Sequence, residues 1–365
     1  MTRKMAQFYR LAFSLYALSV TSVALSHSED QRTEDKTWLA GDHHIHSQYS
    51  VGWDRTQNPP KGIVAGDAIY PIPKNAAMAS KFGLSWMVAT DHGGPNHSKI
   101  NREQAYPELL ESRKEVADVL QFYGLELNTP GGDHSSIIVP HSHDEADVLF
   151  SLESAFDSKE PVVKEPSRHS EEKMLEALIA MQKLEKPPVV IAHHPSRSAK
   201  KYGEYGLYDP SEFRRWNDLA PNIAIGMEGA PGHQAYVLTT GTRSKDKSKL
   251  FRGGYRKFPT MGGFDQMTAK LGGFWDSMLG EGRRWWITAN SDSHVHYTQG
   301  GVDFWPGEYS KTYVFANKNH DSVLSGLRSG RVFVTTGDLI SELFVTASYG
   351  HHDANIGGEL KVKKG

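Results

Sequence analysis

The stretch Gly41-Asp42-His43-His44-Ile45-His46-Ser47 carries the densest chemistry in the chain. It follows the apolar run Trp38-Leu39-Ala40, and a strand continuing from that run turns alternate side chains to one face, so His44 and His46 aim at one point. Neutral imidazole is the commonest protein ligand for zinc, manganese and iron, so the pair supplies half of a metal site. Asp42 is spaced to steady one of the rings from behind. The chain has no cysteine, so thiolate ligands and disulfides are excluded and any metal rests on His, Asp and Glu.

More such residues recur along the chain, and elements must bring them together. Short β-like runs at 38–44, 84–89, 120–127, 135–139, 188–192, 223–227 and 285–289 alternate with helical stretches at 75–82, 103–119, 171–184, 211–219 and 264–279, the pattern of βα units around a parallel sheet. His44 and His46 follow the first run, Thr90-Asp91-His92 the second and Glu126 the third. His193-His194-Pro195 follow the fifth, Glu228 the sixth and Asn290-Ser291-Asp292-Ser293-His294 the seventh. In a closed parallel barrel the carboxyl ends of the strands converge on one face, where such folds hold their active sites. Beyond residue 301 two further β-like runs, 312–316 and 332–335, flank a short helix at 320–329; the rest, 336–365, reads as a strand or two without chemistry.

Taken in order, Asp42-His43-His44-Ile45-His46-Ser47, Thr90-Asp91-His92-Gly93, Glu126, His134, Ala192-His193-His194-Pro195 and Ser291-Asp292-Ser293-His294 resemble the motifs of the polymerase and histidinol phosphatase (PHP) superfamily. The resemblance implies an α/β fold, a distorted (β/α)7 TIM-like barrel over 38–335, holding two or three divalent metal ions and hydrolysing phosphate esters. It implies eight metal ligands: His44, His46, His92, Glu126, His134, His194, Asp292 and His294, with Glu126 bridging two cations. Family members carry another ligand five or six residues after the second histidine of the first motif; here Val51 and Gly52 stand there, and Asp54 is the nearest substitute.

A bridging carboxylate between two cations prepares a nucleophilic water at neutral pH. Arg197, in His194-Pro195-Ser196-Arg197, is spaced to hold phosphate oxygens, or else forms a surface salt bridge. Glu228 is a general acid or a partner that orients a ligand, and Asp91 orients an imidazole as Asp42 does. His43 and His193 point away from the ligand face by the period of two. His233 and His296 are candidates for acid or substrate contact.

Length and composition allow one large domain. With 41 basic and 43 acidic residues, net charge −2, no field favours nucleic acid. The basic loop 239–257 is a solvated loop or a lid for an anionic substrate. Arg3, Lys4 and Arg10 precede an apolar stretch at 11–25 and the small residues Ala24-Leu25-Ser26, the form of a secretory signal peptide over 1–26; an uncleaved anchor is the alternative. A polar segment, 27–37, follows. The expectation is a periplasmic or secreted, metal-dependent phosphoesterase, free of the membrane after cleavage, acting on a small anionic ester with zinc, manganese or iron. The alternatives are a carboxylate or carbamate ester hydrolase on the same metals and a periplasmic metal-binding module without chemistry. The absence of cysteine and of a Gly-x-Ser-x-Gly elbow disfavours a nucleophile enzyme.

Overall fold

Local sequence builds eleven strands up to residue 336. They are β1 (Thr37–Ile45), β2 (Gly52–Asp54), β3 (Lys61–Ile63), β4 (Trp86–Ala89), β5 (Leu120–Asn128), β6 (His134–Ile138), β7 (Val189–Ala192), β8 (Ala224–Ala230), β9 (Trp286–Ala289), β10 (Ser310–Ala316) and β11 (Val332–Thr336). The computed structural model describes residues 36–201, 203–232, 263–295 and 303–363. The leader, His233, His296 and the basic loop 239–257 therefore lie outside the described residues. The described residues from Trp38 onward belong to one unit, and no described helix is long and apolar enough to cross a membrane.

Nine strands form one sheet in the order β11-β10-β1-β4-β5-β6-β7-β8-β9. β4 and β7 are buried along their whole length and read as unbroken apolar runs, as strands covered on both faces do. One face packs on the helices α1 (Glu145–Phe156), α2 (Glu171–Gln182) and α3 (Pro210–Leu219) through Leu149, Met174, Leu178, Phe213 and Trp216. The other packs Leu39, Trp86, Val88, Phe122, Ile191 and Ile225 together with the helix His320–Arg328. Gly41 must be glycine: a Cβ there would lie 1.9 Å from the Trp86 ring.

The sheet bends into a nearly closed barrel whose seam is made by side chains. The Ala289 N–H donates to Thr312 Oγ1 at 2.8 Å, and that hydroxyl donates back to the Ala289 carbonyl at 2.8 Å. The Ser310 hydroxyl bonds the Asn290 carbonyl at 2.9 Å.

The architecture differs from a seven-stranded parallel barrel in two ways. The antiparallel pair β10–β11 adds two strands beside β1. β6 runs antiparallel to both β5 and β7. Only five residues, 129–133, join β5 to β6, too few for the crossover that a parallel partner needs, and Gly131 turns the chain at φ 80°. The reversal brings His134, at the amino end of β6, opposite Asn128 near the carboxyl end of β5.

Three helical expectations shift. Residues 103–119 hold a π turn, Asn101–Ala105, and a helix, Tyr106–Glu115. Residues 264–279 break into Gln266–Ala269 and Phe274–Gly280 around Gly272, at φ 68°. α1 was not expected because Glu145 and Glu153 lie on its buried face with Leu149 and Leu152, interrupting the apolar stripe. Those carboxylates bond Arg113 at 2.5 Å and His97 at 2.5 Å.

Candidate metal centre

The carboxyl end of β1 delivers His44 and His46, each with one ring nitrogen already committed. His44 Nδ1 lies 2.6 Å from Glu228 Oε1, so Nδ1 is the committed donor and Nε2 faces the other ligands; burial is outweighed by Asp292, Glu126 and Glu228, which raise this ring well above its ordinary value, so a cation there would displace the Nε2 proton. The Ser50 hydroxyl donates to Asp91 Oδ1 at 2.8 Å, so its oxygen accepts from His46 Nδ1 at 2.8 Å, and the His46 ring, held neutral, leaves its Nε2 bare. The two Nε2 atoms stand 2.9 Å apart. Both face acceptors, for Asp292 Oδ1 lies 3.3 and 3.1 Å from them, and Glu126 Oε1 and Oε2 lie 3.2 and 3.4 Å away. Converging imidazole nitrogens and carboxylate oxygens in a buried site fit a divalent cation, which would take the place of the His44 proton.

Glu126 links this group to a second. Its Oε1 is 2.8 Å from His134 Nδ1, 2.9 Å from His193 Nδ1 and 3.2 Å from His194 Nε2. Four imidazoles thus approach one oxygen, more than its two lone pairs accept as hydrogen bonds. The sets His44/His46/Asp292, Glu126/His134/His194, His44/Glu126/His193 and His46/His92/His294 each bring their ligand atoms within 4.8 Å of one another. These clusters can hold metal ions. Burial pushes the Glu126 carboxyl up, but the facing His134 and His44 outweigh it and hold it well below the usual carboxylate range. Burial holds His134 down to about 4 against the pull of Glu126, and burial and His294 hold His46 down. Neutral rings and an ionised carboxylate are the forms that bind metal.

The structure supplies a carboxylate that sequence reading passed over. Between His46 and His92 the chain has three acidic residues, Asp54, Asp67 and Asp91. Asp54 lies apart from the cluster: its carboxylate accepts from Thr56 N at 2.9 Å and from Gln57 Nε2 at 2.8 Å in an exposed turn beside the β2–β3 hairpin. Asp67, on the loop after β3, puts Oδ2 3.0 Å from His92 Nε2 and 3.5 Å from His294 Nε2. Burial raises its carboxyl, and hydrogen bonds from those two histidines more than reverse this. Nothing in its local spacing marks it, because it comes back to the site through the hairpin. Asp67→Asn is expected to lower bound metal by about one equivalent, and Asp54→Ala to leave it unchanged, measured by elemental analysis of the purified proteins.

His193 also departs from the period-two reading. The strand ends at Ala192, and His194 takes a left-handed φ of 25°, so alternation stops and both rings reach Glu126. Asp292, at φ 48°, is a second left-handed non-glycine residue at the centre; such residues cost on the order of 1–3 kcal/mol and gather at functional sites. His43 bonds Ser136 Oγ at 3.0 Å and Thr288 Oγ1 at 2.8 Å, a hydrogen-bonded barrel residue.

The supporting carboxylates divide the work. Glu228 is fully buried, holding His44 Nδ1 and, at 2.5 Å, the His194 N–H; it lies behind the ligands and orients them, which argues against the general-acid reading. Asp91 takes the Ser47 N–H at 2.6 Å and orients His46 through Ser50. Among the described residues Asp42 bonds no imidazole: it accepts the backbone N–H of His44 and of Ser291, each at 3.0 Å, tying the end of β1 to the loop after β9. Arg197 pairs with Asp133, and both line a cavity of about 600 Å³ beside His134.

No family model matches the chain, and no curated protein matches it. Among solved structures, PsfC from Pseudomonas syringae is similar at 13% identity and a TM-score of 0.42, over 82% of this chain and 91% of that one. A candidate metal-dependent phosphoesterase from Bifidobacterium adolescentis is similar at 13% identity and a TM-score of 0.33, over 69% of this chain and 86% of that one.

Proposed function

We propose that the chain is an exported metal-dependent phosphoesterase of the PHP type, hydrolysing a small anionic phosphate ester. The observation that carries the reading is the convergence of the Nε2 atoms of His44 and His46 with carboxylate oxygens of Asp292 and of Glu126, the residue shared with the His134/His194 group. Divalent cations held there would supply an activated water at neutral pH and polarise the ester. His44, His46, Asp292 and Glu126 would hold one ion, Glu126, His134 and His194 a second, and Asp67, His92 and His294 a third. Glu228 and the Ser50–Asp91 pair keep the first two rings in the tautomer that binds. Arg197, fixed by Asp133, stands beside His134 to receive phosphoryl oxygens. The apolar leader supports export.

The test is turnover by protein reconstituted separately with zinc, manganese and iron on a panel of phosphomonoesters, phosphodiesters, naphthyl acetate and a naphthyl carbamate. Phosphate release that disappears in His44→Ala is expected. Rapid cleavage of only the acetate or carbamate would replace the reading with carboxylic ester hydrolysis. Tight metal uptake with no hydrolysis would leave a binding module.

A further inference from the structure

The cavity beside His134 is lined by more than candidate ligands. Lys159, Ser158 and His169 contribute to its wall together with Arg197, Asp133 and His134. At about 600 Å³ it falls in the range of small-molecule sites, on the order of 300–1,000 Å³.

The lysine stands on a turn fastened to the metal-binding strand. Asp157, buried, accepts the Asn128 N–H at 2.8 Å and the Lys159 N–H at 2.8 Å, and the Ser158 N–H donates to the Asn128 carbonyl at 3.0 Å. Asn128 closes β5 two residues beyond Glu126. The turn that presents Lys159 is thus held in register with the carboxylate at the middle of the candidate metal centre. Charges across the cavity do not cancel. Asp133 is engaged by Arg197, and the Lys159 ammonium has no carboxylate partner among the described residues. One positive charge is left over, on an exposed side chain, and the exposed His169 also lines the cavity.

We propose that this cavity is a subsite for a second oxyanion of the substrate, so that the ester cleaved at the metal centre carries a carboxylate or a further phosphate on its alcohol portion. The inference rests on the phosphoesterase reading for the reaction and on the cavity for the selectivity. A phosphoryl group at the His134 end would lie against Arg197, and the second anion, a few bonds away, against Lys159. Lys159 is exposed, so water solvates its ammonium when the alcohol portion is neutral, and discrimination comes from the attraction of the second anion.

Three esters of matched size test this: 3-phosphoglycerate, which has a carboxylate; 1,3-propanediol bisphosphate, which has a second phosphate; and glycerol 3-phosphate, which has neither. In the metal-loaded protein the first or second is expected to exceed the third in kcat/KM by about tenfold or more, and Lys159→Gln is expected to erase most of that ratio by raising KM. Which of the two leads identifies the oxyanion. Calorimetric binding of the same three compounds to metal-loaded wild type and Lys159→Gln reads the subsite without turnover. Tighter binding of a doubly anionic compound that weakens in the variant supports the subsite even where no ester is cleaved, an outcome that would sink the phosphoesterase reading alone. Equal binding of all three compounds, or equal loss of all three on substitution, overturns the subsite.

Discussion

Glu126→Gln is expected to lower turnover by about 10³-fold or more and to strip metal from the centre, with the fold retained. The carboxylate touches both ligand sets: its oxygens approach His44, His46, His134, His193 and His194 within 3.4 Å. Glutamine keeps the shape but replaces one anionic oxygen with an N–H donor, which would face nitrogen lone pairs instead of a cation. Several kcal/mol of transition-state stabilisation is the usual contribution of bound metal, and about 4 kcal/mol corresponds to the stated loss. Elemental analysis, circular dichroism and steady-state kinetics on one preparation check it. Chelation of the wild type is expected to reproduce the loss and re-addition of metal to reverse it. Wild-type metal content and turnover in Glu126→Gln would refute the bridging role.

Glu228→Gln is expected to weaken metal binding by about 10- to 100-fold, the usual cost of removing the partner that orients a ligand imidazole. It touches His44 Nδ1 and the His194 N–H, so loss of the charge releases one ring to the wrong tautomer and loosens the loop that carries another. It also bears on the folded state without metal. Burial would push the Glu228 carboxyl up, but His193 and His44 opposite it prevail and hold it at about 2, below the ordinary value of 4.5. A depressed carboxyl stabilises the fold above the unfolded value, and that stability is lost as pH falls from 4.5 towards 2. In chelator-treated protein the difference in melting temperature between wild type and Glu228→Gln is therefore expected to be widest near pH 7 and to narrow below pH 4.5. Thermal melts across that range check it; a difference that does not change with pH would mean that Glu228 acts through packing alone.

Most strand positions were legible because each depends on a short window. The runs at 38–44, 120–127 and 285–289 sit within two residues of β1, β5 and β9. The β2–β3 hairpin was not visible, since two three-residue strands in a polar loop carry too little alternation to register.

By itself the sequence determined which residue types can bind metal and that they stand at strand ends, because side-chain alternation and strand boundaries are local properties. Only the tertiary structure decided which of them meet. Asp67 joins His92 and His294 across a hairpin, His193 joins Glu126 because a left-handed residue breaks the alternation, and His134 joins them because a five-residue turn reverses β6. Each of these depends on where the chain bends and returns, and contacts set by such bends leave no period in the sequence.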